Sequence, residues 1–73
     1  MEVIVYGKPN CQYCDMAKNL LNSKGIVFQY IDVSVDSAAM DKIKNDGART
    51  VPRVYINGVC IGGFTELREK LND

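Results

Sequence analysis

The sequence predicts a single α/β domain, residues 1–73, in which a four-stranded mixed sheet is flanked by three helices in the order β-α-β-α-β-β-α. Short β-branched runs alternate with segments whose apolar residues recur every three or four positions, as strands alternating with helices do. Two of the runs are joined by Asn57-Gly58, a dipeptide that favours an antiparallel hairpin. A chain of 73 residues has room for one such domain only.

A strand followed by an amphipathic helix is predicted first. Residues 2–6, Glu-Val-Ile-Val-Tyr, are nearly all apolar, which suits a strand covered on both faces. After a short loop, a helix is predicted from about Cys11 or Gln12 to Lys24, and Gly25 is its expected stop. Its inward face consists of residues at helical spacing: Tyr13, Cys14, Ala17, Leu20, Leu21 and Lys24.

A second strand and a second helix are predicted next. Residues 26–33 show apolar alternation and should form a strand parallel to the first, because a crossover helix joins the two. Asp36 or Ser37 is a suitable N-cap for a helix that runs to about Asn45. Met40 and Ile43 are expected to face inward from this helix.

Two short strands and a third helix complete the prediction. Residues 53–56 and 59–61 flank the Asn-Gly dipeptide, so they are predicted to pair antiparallel. A glycine pair then interrupts the chain, and Thr65 is expected to open a final helix that carries Leu67.

Composition and charge exclude several classes of protein. Nine basic residues balance nine acidic ones, so no large field of one sign is available to hold a nucleic acid or an anionic membrane. No apolar run approaches the roughly 20 residues that span a bilayer. The first ten residues lack the basic start and long apolar stretch of a signal peptide, so we expect a cytoplasmic protein, and we expect it to be a monomer.

Cys11-Gln12-Tyr13-Cys14 carries the predicted chemistry. Two cysteines three residues apart at a helix start lie on one face, so their sulfur atoms are able to bond to each other. Unpaired N–H groups of the first turn and the helix dipole favour a thiolate at Cys11, and Lys8 adds positive charge. Cys11 is therefore predicted to attack a disulfide, and Cys14 to resolve the mixed disulfide that forms.

A structural disulfide and a zinc site both fit the cysteine pair less well. A disulfide across so short a loop restrains the unfolded chain by only about 2 kcal/mol, and the cytosol would reduce it. A zinc site needs four ligands, yet the chain has no histidine and only Cys60 beyond the pair. A C-x-x-C that joins a strand to a helix in a β-α-β unit instead favours a thioredoxin-like redox motif. Cys60 is predicted to be a small buried apolar residue.

Three segments together resemble the glutaredoxins across essentially the whole chain. They are residues 11–14, residues 47–56 with the sequence Gly-Ala-Arg-Thr-Val-Pro-Arg-Val-Tyr-Ile, and residues 60–63 with the sequence Cys-Ile-Gly-Gly. The resemblance implies the thioredoxin fold and glutathione as co-substrate, with no permanently bound cofactor or metal. It also implies reduction of protein disulfides and protein–glutathione mixed disulfides, with ribonucleotide reductase among the partners.

The same resemblance implies a glutathione site. Taken alone, Pro52 predicts only the start of a strand; in the family the bond before it is cis, and the backbone of Val51 would pair with the cysteinyl part of glutathione. The other implied site residues are Gly63, Thr65 and Glu66 for the γ-glutamyl carboxylate, Lys8 and Arg49 for the glycyl carboxylate, and Tyr13 and Thr50 beside the groove. Taken singly, the two basic residues are equally well interpreted as solvated surface charges.

Two departures from the family pattern, at Gln12 and at Ala39, affect what the resemblance implies about function. Gln12 stands where the family usually has proline, a residue that fixes φ, and relatives without this proline include carriers of an iron–sulfur cluster held between two subunits with glutathione as co-ligand. A redoxin reduced by thioredoxin reductase is the second alternative. Ala39 stands near the place where relatives often present a polar residue to glutathione, which predicts weaker affinity.

Overall fold

The computed structural model describes residues 1–72 and contains the predicted elements in the predicted order. The strands are β1 (Val3–Gly7), β2 (Gln29–Asp32), β3 (Arg53–Ile56) and β4 (Val59–Gly62), and the helices are α1 (Gln12–Ser23), α2 (Ser37–Asn45) and α3 (Phe64–Leu71). The sheet order is β2-β1-β3-β4. β1 is parallel to β2, whereas β1 with β3 and β3 with β4 are antiparallel, so the predicted mixed sheet is confirmed.

The helices cover both faces of the sheet. On one face, α1 and α3 bury Leu21 and Leu67 against Val5 of β1. On the other face, Ile43 of α2 packs against Tyr6 and its neighbours. The central strands are therefore buried on both sides, as the nearly continuous apolar run of residues 2–6 predicts. None of the helices within residues 1–72 is long and apolar enough to cross a membrane.

Local side chains and turns fix the ends of these elements. The Asp36 carboxylate accepts the N–H of Ala39 at 3.0 Å and caps α2, which confirms Asp36 as the N-cap. Gly25 has a φ of +69° just after α1, a left-handed conformation that ends helices readily. Asn57 and Gly58 both have positive φ, as the favoured two-residue hairpin turn requires.

The second strand is shorter than predicted. It spans Gln29–Asp32 instead of residues 26–33, because β2 is an edge strand that pairs with β1 alone, beginning at Ile4 opposite Gln29. Ile26 and Phe28 pack against the hydrophobic core without strand pairing. Their alternation therefore reflects burial of a connecting segment.

Three predictions of burial are wrong. Tyr13 is 57% exposed because it lies in the first turn of α1, where the helix rises from the sheet and its ring stands 6.0 Å from that of Phe64. Lys24 is exposed and follows α1 as its C-cap. Cys60 is also exposed, because β4 is an edge strand whose first two residues are left uncovered by the helices.

A polar cluster ties the end of α2 to the sheet. The Tyr55 hydroxyl donates a hydrogen bond to Asp46, and the ammonium of Lys42 lies 3.4 Å from the same carboxylate oxygen. The hydrogen bond from Tyr55 lowers the pKa of the Asp46 carboxyl. The pKa of Tyr55 is raised, chiefly by burial and to a smaller extent by the hydrogen bond to Asp46.

Tyr55→Phe is expected to destabilise the fold at neutral pH more than in acid. A carboxyl whose pKa is lower in the folded state contributes stability above its unfolded pKa of about 3.9, and this stability is lost as the pH falls through the folded value. The difference in unfolding free energy between wild type and Tyr55→Phe, measured in urea, should therefore shrink between about pH 6 and about pH 2.

Tyr6→Phe is the matched control for this prediction. Tyr6 belongs to the same core cluster and meets the Tyr55 ring edge-on at 5.2 Å, but it does not bond to Asp46. Removal of the Tyr6 hydroxyl should change the free energy of unfolding by the same amount at every pH in this range. Parallel stability curves for the two variants would show that the bond from Tyr55 to Asp46 carries no pH-dependent stability.

Candidate active site

The cysteine pair lies where the loop after β1 meets α1. Cys11 is the N-cap of α1 and has extended backbone angles, φ −115° and ψ 108°. Its sulfur accepts the N–H of Cys14 at 3.2 Å, so a thiol group takes the place that a serine or aspartate oxygen usually has at an N-cap. The two Cα atoms are 5.2 Å apart and the sulfur atoms lie close to disulfide-bonding distance. This geometry suits a reversible disulfide.

The two sulfur atoms differ in accessibility. Cys11 is 9% exposed, whereas Cys14 is fully buried. A bulky disulfide therefore reaches Cys11 first, and Cys14 is left to react with a bond already formed at its neighbour. The predicted order of attack and resolution agrees with this geometry.

Tyr30 packs against the loop that leads to Cys11. The Tyr30 hydroxyl lies 3.4 Å from the Lys8 carbonyl, and a Cβ at Gly7 would overlap that hydroxyl. Asn10 then adopts a left-handed φ of 57° immediately before the cysteine. This tightly packed turn fixes the direction in which the chain enters α1.

Val51 and Pro52 form the wall opposite the cysteine. The bond between them is cis, which confirms the expectation from the resemblance, and β3 begins at the next residue, Arg53, so the strand start predicted from Pro52 alone is confirmed as well. The Val51 carbonyl oxygen lies 3.9 Å from the Cys11 sulfur. A main-chain hydrogen-bonding group therefore lies directly beside the reactive atom.

Two clefts meet at Thr50 and Val51. The first has a volume of about 420 Å³, and its other walls are Tyr13, Pro52, Gly63, Phe64, Thr65 and Glu66. The second has a volume of about 170 Å³, and its other walls are Lys8, Val33, Met40, Ile43, Lys44, Ala48 and Arg49. All the residues that the resemblance assigns to a glutathione site line one cleft or the other. Ala39 of α2 is buried in the core and lines neither cleft.

Six residues that line these clefts are not predicted by the sequence to belong to the site: Val33, Met40, Ile43, Lys44, Ala48 and Phe64. Met40 and Lys44 line the smaller cleft from α2, although the apolar spacing of that helix indicates only a core-facing side. Phe64 lines the larger cleft as the first residue of α3. Its signal in the sequence is its place immediately after the glycine pair, beside residues already assigned to the site.

The start of α3 is capped from within the helix. The Gly63 N–H donates to a carboxylate oxygen of Glu66 at 2.7 Å. Gly63 has no side chain to return a bond to the N–H groups of the first turn. Gly62 has a φ of +115°, and a Cβ there would lie 2.7 Å from the Glu66 side chain. The glycine pair therefore makes room for the folded-back carboxylate.

Comparison with known proteins identifies the family. The family model described as Glutaredoxin matches residues 3–61. The chain belongs to the glutaredoxin family. Glutaredoxin 3 of Escherichia coli strain K12 is 41% identical over 66 residues, which cover 89% of this chain and 80% of that protein.

Further glutaredoxins agree in sequence and in fold. The mitochondrial glutaredoxin-2 of Bos taurus is 37% identical over 88% of this chain but only 43% of its own length, so the chain spans less than half of that relative. A buckwheat glutaredoxin solved in complex with glutathione superposes with a TM-score of 0.84 and 33% identity, covering 97% of this chain and 68% of that one.

One more solved structure shows the shared fold alone. NrdH-redoxin from Escherichia coli, described as a glutaredoxin-like protein with a thioredoxin-like activity profile, superposes with a TM-score of 0.86 but is 22% identical, covering 94% of this chain and 93% of that one. The predicted thioredoxin fold is thus confirmed. Together with the sequence relatives, these comparisons show a glutaredoxin with a redox-active cysteine pair.

In the reduced glutaredoxin, Cys11 is expected to react with iodoacetamide as a thiolate at lower pH than Cys60 does. The N–H of Cys14 and the helix start favour the charged form of the Cys11 sulfur, whereas Cys60 lies exposed on an edge strand. Peptide mass spectrometry of one sample alkylated across a pH series compares both cysteines directly. Coincident pH profiles would mean that the helix start does not activate Cys11.

Proposed function

We propose that this glutaredoxin is a glutathione-dependent oxidoreductase that reduces protein disulfides and protein–glutathione mixed disulfides. The observation that carries the proposal is the Cys11 sulfur at the N-cap of α1, 3.2 Å from the Cys14 N–H and beside the Val51 carbonyl. A thiolate there is both the nucleophile that disulfide exchange requires and the acceptor that the helix start needs.

The first half of the reaction reduces the substrate. The Cys11 thiolate attacks one sulfur of the substrate disulfide, forms a mixed disulfide and releases the other sulfur as a thiolate, which takes up a proton. The buried Cys14 then loses its proton and attacks the Cys11 sulfur. A Cys11–Cys14 disulfide forms, and the second substrate thiol leaves. The substrate has gained two electrons and the protein has lost two.

The second half restores the dithiol at the expense of glutathione. One glutathione thiolate attacks the sulfur of Cys11, the more accessible of the two, which frees Cys14 as a thiol. A second glutathione attacks the glutathione sulfur of this mixed disulfide and leaves as oxidised glutathione, so Cys11 returns to its thiolate. With a protein–glutathione mixed disulfide as substrate, the Cys11 thiolate attacks the glutathione sulfur, releases the protein thiol and forms the Cys11–glutathione disulfide directly. This cycle needs Cys11 only.

Three features support glutathione as the thiol donor. The backbone at Val51, whose carbonyl oxygen lies beside Cys11, offers hydrogen-bonding groups to a short thiol peptide. Lys8 and Arg49 supply positive charge at one end of the paired clefts, where the glycyl carboxylate would lie. The buckwheat relative, 33% identical, is known in complex with glutathione.

The setting of the reaction is part of the proposal. We place the protein in the cytoplasm, where glutathione is the principal small thiol, and we expect it to act as a monomer without a resident metal or cofactor. Ribonucleotide reductase is proposed as one of its disulfide substrates. These assignments rest on the family resemblance.

A donor assay tests the central claim. With a small mixed disulfide, glutathione, glutathione reductase and NADPH, the wild type should produce oxidised glutathione, which the reductase reduces as it consumes NADPH. Cys11→Ser should abolish turnover because it removes the nucleophile. Cys60→Ser is the matched control and should retain full activity. A parallel assay with thioredoxin reductase in place of glutathione and its reductase separates the two donors. Turnover with thioredoxin reductase alone would reject glutathione dependence.

Cys14→Ser separates the two classes of substrate. It should retain turnover of a protein–glutathione mixed disulfide, since that cycle needs only Cys11, and it should stall on a protein disulfide as a covalent complex. The complex is visible by non-reducing gel electrophoresis. Equal loss of activity on both substrates would contradict the assigned role of Cys14.

Arg49→Gln is expected to raise the KM for glutathione with little change in kcat. Arg49 is exposed, so its contribution to binding a carboxylate is that of a screened pair, roughly 0.2–1 kcal/mol or up to about fivefold in KM. Lys70→Gln, an exposed charge change on α3 away from both clefts, is the control and should leave KM unchanged. An unaltered KM in Arg49→Gln would assign that guanidinium to the solvated surface.

A further inference from the structure

The packing of Tyr30 against the loop before Cys11 leaves no spare room. The Tyr30 hydroxyl lies 3.4 Å from the Lys8 carbonyl oxygen, and the tip of its ring fills the space beside the Gly7 Cα. A Cβ at Gly7 would lie 2.7 Å from the ring carbon that bears the hydroxyl, well inside the usual contact distance of two carbon atoms. Gly7 is paired within the sheet and is not among the glycines with a left-handed φ. Space for Tyr30 therefore accounts for the glycine at this position.

The Tyr30 ring is itself held on several sides. Its main chain pairs with Val5 in the sheet, and its side chain packs against the hydrophobic core that α1 and α3 cover. The Lys18 ammonium lies 4.2 Å from the ring centroid and 3.5 Å from the carboxylate of Asp15, in the first turn of α1. The ring has little freedom to turn away, so pressure between Tyr30 and the loop moves the loop.

The loop depends on such support because its own conformation is an uncommon one. Asn10 has a left-handed φ of 57°, which residues other than glycine adopt only where the surrounding structure enforces it. The Gly7 carbonyl accepts the N–H of Val33 at 2.9 Å, which anchors the start of the loop. The end of the loop is Cys11, the N-cap of α1. Tyr30 packs against the chain between these two anchors.

We propose that Tyr30, matched to Gly7, is a positioning residue that sets the reactivity of Cys11. The ring fixes where the chain leaves β1, and this fixes the separation of the Cys11 sulfur from the N–H of Cys14, which is 3.2 Å. A displaced loop would lengthen that contact, and the thiolate would lose part of its stabilisation. The edge strand β2 thus contributes to the reaction, although none of residues 30–32 lines either cleft.

Gly7→Ala tests the inference in a Cys14→Ser background, which keeps the main-chain N–H donor. The rate at which the Cys11 thiolate displaces iodide from iodoacetamide is followed against pH by peptide mass spectrometry. The added methyl group should press the loop away from Tyr30. The pH profile should then move toward the free-thiol value of about 8.5, and the rate at neutral pH should fall by roughly three- to tenfold, as for partial loss of a hydrogen bond to a charged atom.

The double variant Gly7→Ala with Tyr30→Leu distinguishes a matched pair from two separate defects. Leucine is shorter than tyrosine and leaves room for the methyl group. Tyr30→Leu alone should slow alkylation by about two- to threefold, since the loop loses its support. The double variant should react faster than Gly7→Ala alone, because the two changes compensate at one contact and do not add.

Phe28→Leu is the matched control. Phe28 packs against the same core as Tyr30 but lies beside Glu2, at the other end of β1 from the loop. Its replacement removes an aromatic ring from that core, so it should lower the free energy of unfolding in urea while leaving the Cys11 pH profile unchanged. Burial raises the pKa of Tyr30, so the tyrosine stays uncharged through the range in which Cys11 titrates.

Three results would overturn the inference: an unchanged profile in Gly7→Ala, a double variant no more reactive than Gly7→Ala, or a shift in Phe28→Leu equal to that in Tyr30→Leu. The inference rests on the activated Cys11 of the proposed function and is independent of the thiol donor. If wild-type Cys11 titrates as Cys60 does, both the activation and the role of Tyr30 are rejected. If the wild type is activated and the Gly7 and Tyr30 variants match it, only the role of Tyr30 is rejected.

Discussion

The hydrogen bond from the Cys14 N–H to the Cys11 sulfur is the interaction on which the rest of the site depends. It satisfies an N–H that the start of α1 would otherwise leave unpaired, and it presents a donor to a sulfur that must carry negative charge to react. One contact therefore caps the helix and places an N–H donor at the sulfur. Packing of Ala17 and Leu21 into the core fixes α1, and α1 in turn fixes the direction of that N–H.

The sheet supplies the opposite wall of the site through a long-range pairing. β1 and β3 are antiparallel, with Tyr6 opposite Arg53, so the chain that leaves β1 toward Cys11 runs beside the chain that enters β3 from Val51. This pairing explains why residues 40 positions apart meet at 3.9 Å. It also explains why the site lies at one end of the strands, where α1 and α3 both begin and where the two clefts open.

What the sequence predicted correctly was encoded locally. Asp36 as a cap, the Asn57-Gly58 hairpin and the cysteine at the start of α1 each follow from a few adjacent residues. The failures concern contacts that only the assembled fold decides. Cysteine is a residue type common in protein cores, but Cys60 lies exposed on an edge strand. Ile26 and Phe28 pack against the core without strand pairing. The Glu66 contact could not be read from spacing alone, because a glutamate three residues after a glycine N-cap does not show whether it folds back or extends.

α1 and α2 each begin at a residue whose side chain accepts the N–H three positions later, whereas at the start of α3 the Glu66 side chain accepts the N–H of Gly63. Asp36 caps α2, which packs on the face of the sheet opposite to α1 and α3. The starts of α1 and α3 both lie beside the larger cleft, where the acceptors are the sulfur of Cys11 and the carboxylate of Glu66. Glutaredoxin chemistry needs the first of these to be displaced toward a substrate sulfur, whereas the second has no reaction to perform. The carboxylate of Glu66 stays at the N–H of Gly63, and the absence of a Cβ at Gly62 leaves room for it.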